Sequence, residues 1–145
     1  MTLLESTYRI RPSEIAYPGQ TALTYFAAAF FTLTFLTDLA YMQTTILMWK
    51  DFSSWLLFAG LVSGWLGVAL WLVRLAVYRQ RPLWSVIVLN SMVLAAALLN
   101  SLLHAGDGWT YIVPWGIAVS VATCLLMLAS AALGRRALAN KTDDL

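Results

Sequence analysis

Four apolar stretches, each about as long as a membrane crossing, decide what this chain can become. They run over residues 21–42, 55–78, 83–103 and 111–134, separated by short polar segments. A hydrocarbon core of roughly 30 Å takes about 20 apolar helical residues. Lipid offers no hydrogen bonds, so a single segment must satisfy its own backbone, and only a helix does so. Loops this short place each helix antiparallel to its neighbour in sequence. The expected fold is an all-α membrane protein, a four-transmembrane-helix up-down bundle. Composition agrees: 61% of the 145 residues are hydrophobic and 11% charged, against about 25% charged in soluble domains. The expected organisation is an N-terminal arm over 1–19, a transmembrane domain over 20–134 and a tail over 135–145.

The charges orient the bundle. Of nine Lys and Arg residues, Arg9 and Arg11 precede the first stretch, Arg74, Arg79 and Arg81 lie at the second turn, and Arg135, Arg136 and Lys141 follow the fourth. Only Lys50 falls on the other side. Cytoplasmic loops carry the excess of positive charge, so both termini are expected in the cytoplasm, with the protein in a bacterial inner membrane. Trp49, Trp55, Trp84, Trp109 and Trp115 stand near predicted interfaces, where an indole keeps its N–H wet.

Several function classes drop out. A net charge of +2 without a dense basic stripe does not fit nucleic-acid binding. The single Cys124 can form no intrachain disulfide and completes no Cys-based metal motif. The single His104 cannot supply a bis-histidine haem within one chain, nor a zinc set, which takes several ligands. It stands at a helix end and reads as an exposed cap or surface group. No phosphate loop or catalytic triad is present, so no catalytic residue, intrinsic cofactor or enzyme activity is expected.

Small and polar residues within the spans are the remaining features. Gly60, Gly64 and Gly67 share a face of the second span, and Gly116, Ser120 and Cys124 recur every four residues in the fourth. Small residues let helix backbones approach closely. Asn90 and Asn100 lie in the third span and need partners away from lipid. All but the cysteine are candidates for helix packing or a subunit interface. Trp65, Trp71 and Asn90 are candidates for contact with a flat hydrophobic ligand, a quinone or a pigment; the two indoles equally suit the core or the lipid face. Asp38 and Arg74 lie near opposite ends of the membrane, on the order of 20 Å apart from the helical rise. Asp38 is expected to bond to Lys50 or to neighbouring threonines. With no acid or histidine between Asp38 and Arg74, no proton relay is expected.

The order of landmarks resembles an uncharacterised family of bacterial four-helix inner-membrane domains, a domain of unknown function. Tyr17-Pro18 opens the first span, Asp38 lies near its end, Gly60-Leu61-Val62 begins the second-span pattern, and Asn90 and Asn100 lie in the third. The likeness covers roughly residues 17–134. It implies the four-helix fold and no particular reaction. The family's two histidines correspond to Tyr17 and Ala22, its second proline to Thr24, and a later acid to Arg74. Whatever those histidines hold in relatives, they are missing from these positions.

The leading functional expectation is a non-catalytic accessory or structural subunit of a larger membrane complex, such as a respiratory or photosynthetic one, with membrane lipids around it. Two alternatives stand beside it: a protein binding a quinone or pigment between helices, and a small homo-oligomeric transporter or channel.

Overall fold

The computed structural model describes residues 18–78, 83–106 and 112–143. The arm before Pro18, the Arg79–Pro82 turn and the second external loop from Asp107 onward lie outside the described residues. Four long helices account for nearly all of the rest: α1 Pro18–Thr44, α2 Leu47–Tyr78, α3 Trp84–Ala105 and α4 Ile117–Asp143. A short π-helical turn, Ile112–Gly116, leads into α4. All four are long and apolar enough to cross a membrane. The chain is therefore an all-α membrane bundle, with α1 packed most extensively on α2 and α3 on α4.

The first connection is tighter than the sequence suggested. Residues 43–54, expected as an external loop, are nearly all helical, and α2 begins at Leu47. Only Thr45 and Ile46 separate α1 from α2. Thr45 adopts a positive φ of 56°, and its N–H donates to the Tyr41 carbonyl at 2.8 Å. This is a left-handed residue stopping a helix, a place usually given to glycine. Helix α2 has 32 residues and spans about 48 Å at 1.5 Å per residue, so its ends outreach the hydrocarbon. Trp49, Lys50 and Asp51 belong to its first turns rather than to a loop.

The entry to α4 is also irregular. Proline disfavours the helical region for the residue before it, and Val113 accordingly sits at φ −115°, ψ 113°. The Val113–Pro114 peptide is cis. Regular helix starts only at Ile117 and continues past Gly134 to Asp143.

Threonines in α1 cost little in this setting. Thr24, Thr32, Thr34 and Thr44 each return the hydroxyl to the carbonyl four residues back, at 2.7 to 3.0 Å. The mid-membrane core is small and apolar. Ala27 and Phe31 of α1, Leu57 of α2, and Val93 and Ala97 of α3 are buried together, with Leu126 and Met127 of α4 against them. Large apolar side chains such as Phe58, Leu102 and Leu128 stay exposed on the outside. That is normal where the solvent is lipid.

Close helix approach has identifiable causes. A Cβ built on Gly60 would lie 2.5 Å from the Phe31 ring, and one on Gly64 would lie 2.5 Å from a Leu94 methyl. These two glycines make room for side chains of α1 and α3. Gly67 is looser, its nearest neighbour being Leu23 Cβ at 3.8 Å.

Candidate functional site: a buried polar layer and an intramembrane cavity

The apolar core divides the bundle into two unlike halves. Towards one end, every helix contributes a polar side chain to a single buried layer. Asp38 of α1 is completely buried and receives three contacts. Ser53 Oγ of α2 donates to its Oδ1 at 2.6 Å, and Ser120 Oγ of α4 donates to its Oδ2 at 2.6 Å. His104 Nε2 of α3 lies 2.8 Å from Oδ1. Asn100, one turn before His104, donates from Nδ2 to Ser120 Oγ at 2.7 Å. The other ring nitrogen, His104 Nδ1, lies 3.0 Å from the Asn100 main-chain oxygen. Thr37 extends the layer, with its Oγ1 2.6 Å from Ser53 Oγ.

Local sequence explains how the layer forms. Asp38 and Ser53 flank the two-residue turn at similar distances, so the α1–α2 hairpin brings them level. Asn100 and His104 are four apart and share one face of α3. Gly116 and Ser120 do the same at the start of α4. Gly116 supplies the space: a Cβ there would meet His104 Cε1 at 3.4 Å and Asn100 Oδ1 at 3.6 Å. Asn100 Oδ1 is buried and has no hydrogen-bond partner among the described residues.

This layer corrects two expectations. His104 is not an exposed cap; it is 3% exposed and pairs with Asp38. Asp38 does not turn to Lys50 or to its threonine neighbours; its partners come from the other three helices. Asn100 reads in the sequence as a polar position in need of a partner and Ser120 as a small packing residue, and nothing in either segment links them to Asp38 and His104.

The other half of the bundle is open. A cavity of about 610 Å³ lies among the helices there, lined by side chains of all four. Its walls are mainly apolar and include Trp71 and Leu94, with Gly64 and Gly67 deepening one side. Its polar groups are Gln20, Ser63, Arg74, Asn90, Ser91 and Ser130, with Thr24 and Tyr25 at the α1 wall. Arg74 donates to Gln20 Oε1, tying the end of α2 to the start of α1. Ser130 donates to Asn90 Oδ1 at 2.8 Å, tying α4 to α3. The cavity lies among the four helices at this level, with its longest walls on α1, α2 and α3.

Of the three residues singled out for ligand contact, Trp71 and Asn90 line this cavity and Trp65 does not. Trp65 is 57% exposed and lies with Phe58, Val62 and Leu66 on a shallow outward-facing groove. Trp65 and Trp71 are six positions apart in α2, and a helix turns about 100° per residue, so they cannot point the same way. Among the described residues no group of His, Cys, Asp or Glu is arranged to hold a metal ion.

Comparison with known proteins agrees that the chain is a membrane protein. A family model described as a predicted membrane protein, DUF2231, matches residues 22–142. No curated protein and no solved structure matches the chain.

Proposed function

The chain belongs to the DUF2231 family of predicted membrane proteins, and from that premise we propose that it binds a hydrophobic molecule with a polar, hydrogen-bond-accepting end, of the quinone class, in the cavity among the four helices. The observation that carries this reading is the cavity itself. Its volume of about 610 Å³ falls within the roughly 300–1,000 Å³ of small-molecule sites, and an apolar lining with a few placed polar groups is what such sites present. Trp71 offers a flat face for a ring. The amide nitrogen of Asn90, the Ser91 hydroxyl and the Arg74 guanidinium are donors, which suits carbonyl or other acceptor oxygens on the ligand.

Two other readings draw less support. A docking subunit would need its small-residue faces for a partner, but Phe31 and Leu94 of this chain already occupy the space at Gly60 and Gly64. A conducting pore would need a continuous polar face. Here the apolar cluster of Ala27, Phe31, Leu57, Val93 and Ala97 stands between the polar layer and the cavity. We place the Arg74 end of the bundle in the cytoplasm on the charge distribution, so the ligand enters from the inner leaflet of a bacterial inner membrane.

The test is a titration of the purified protein in lipid nanodiscs with a short-chain benzoquinone, read by tryptophan fluorescence. Saturable quenching is expected, with a reduced amplitude in W71F and an affinity weakened about tenfold in N90L, the effect of losing roughly 1.4 kcal/mol of binding. W65F should keep the wild-type affinity. Quenching that rises linearly as in protein partitioned with bulk lipid, or that W71F and N90L leave unchanged, would sink the proposal.

A further inference from the structure

Ser53 and Ser120 each have one hydroxyl hydrogen, and both are directed at Asp38. Ser120 is then the acceptor for the Asn100 amide. A main-chain carbonyl can only accept, so His104 Nδ1, 3.0 Å from the Asn100 oxygen, must carry a hydrogen. That leaves Nε2 facing Asp38 Oδ1 at 2.8 Å. If Nε2 were bare and the carboxyl ionised, two lone pairs would oppose each other there. One more hydrogen is required between them. It can sit on the ring, giving imidazolium and carboxylate, or on the acid, giving imidazole and carboxylic acid. Either way the pair is neutral overall. The arrangement lacking that hydrogen leaves a net negative charge on a group with no solvent exposure, which a low-dielectric interior strongly opposes.

We propose that Asp38 and His104 form a proton-binding site, in which one hydrogen bridging Oδ1 and Nε2 is held inside the bundle and closes all four helices on one another. The apolar cluster separates this pair from the cavity half. The ionisable residues nearest this level along the other turns of the helices are Tyr41 on α1, Lys50 and Asp51 on α2 and Cys124 on α4, while Tyr25, Arg74, Tyr78, Arg135, Arg136, Lys141 and Asp143 lie towards the opposite end; α3 contributes His104 alone. When the bridging proton leaves, Nε2 and Oδ1 become two acceptors in contact, and the His104 ring must move away from Asp38. The layer then loses the direct bond between α1 and α3, and α3 stays tied to it only through Asn100 and Ser120.

The chain has one histidine, which makes the test direct. Protein labelled with 15N-histidine in lipid nanodiscs gives one pair of ring-nitrogen resonances. The expected result near neutral pH is a hydrogen on Nδ1, with Nε2 either protonated or displaced by a strong hydrogen bond. A bare Nδ1 would overturn the proposal from the wild-type protein alone. The second measurement is the unfolding stability of D38N and D38A in SDS mixed micelles. An asparagine can donate its amide hydrogen to a bare Nε2 and so restores a bridge to His104, whereas an alanine leaves Nε2 unbridged. D38N should therefore be clearly the more stable of the two. Equal stability of D38N and D38A would overturn the proposal as well.

Discussion

Replacing Ser120 by alanine separates the two serines of the polar layer and tests whether its bonds act as drawn. In wild type the Ser120 hydroxyl serves two neighbours at once, donating to Asp38 Oδ2 and accepting from Asn100 Nδ2. S120A strands both. A buried polar group left without its partner costs about 1–3 kcal/mol, while interhelical hydrogen bonds in membrane proteins average about 0.6 kcal/mol and reach about 1.7. Two losses of this kind sum to roughly 2–4 kcal/mol. The better helix propensity of alanine returns a few tenths. Ser53→Ala is the comparison. It leaves Asp38 Oδ1 its contact with His104, and Thr37 can still donate to the Leu33 or Thr34 carbonyl. Its cost should stay near 1 kcal/mol, one ordinary net hydrogen bond. Both variants would be unfolded with increasing SDS in mixed micelles and followed by helical circular dichroism. Equal stabilities, or S53A the weaker protein, would refute the reasoning. N100A should add little to S120A, because the two substitutions remove one shared bond.

Three further outcomes follow from the packing and the charges. G60A forces a Cβ to within 2.5 Å of the Phe31 ring, which is itself 2% exposed; overpacking of this kind costs about 1–3 kcal/mol. G67A meets nothing closer than 3.8 Å and should gain up to about 1 kcal/mol from propensity, so the same SDS titration should move the two in opposite directions. Thr45 holds a left-handed backbone that costs a branched residue about 1–2 kcal/mol; T45G should raise the thermal midpoint, and a lower midpoint would count against the turn as described. Topology is open to labelling in a Cys124→Ser background: K50C should react with a membrane-impermeant maleimide on intact cells and R136C should not, and the reverse pattern would invert the orientation.

Much of the fold was readable in one dimension, because a span announces itself through length and hydropathy alone. Four apolar runs with short connections leave few alternatives to the up-down bundle, and they set the ends of α1 and α3 to within a few residues. What hydropathy does not record is rotation of each helix about its own axis. In water the apolar stripe of a helix points to the core, but here lipid and core are alike apolar. Trp65 and Trp71 therefore looked equivalent, although one faces outward and the other lines the cavity. Asp38 and His104 are 66 positions apart, and no periodicity within either helix marks them as partners. The one available signal was composition: the only acid within the first span and the only histidine of the chain stand at comparable depths. The helical start of α2 was missed for a different reason, since a Trp-Lys-Asp sequence fits an interfacial helix turn as well as a loop.

The uneven spread of polar ties along the bundle has a mechanical side. At the Asp38 level all four helices are fastened within a single layer, whereas at the Arg74 level one bond ties α1 to α2 and another ties α3 to α4. The chain itself joins the two hairpins at that second level, since α2 ends at Tyr78 and α3 starts at Trp84. The hairpins are thus held by side-chain bonds at one end of the bundle and by the covalent backbone at the other, and the cavity lies at the covalently held end.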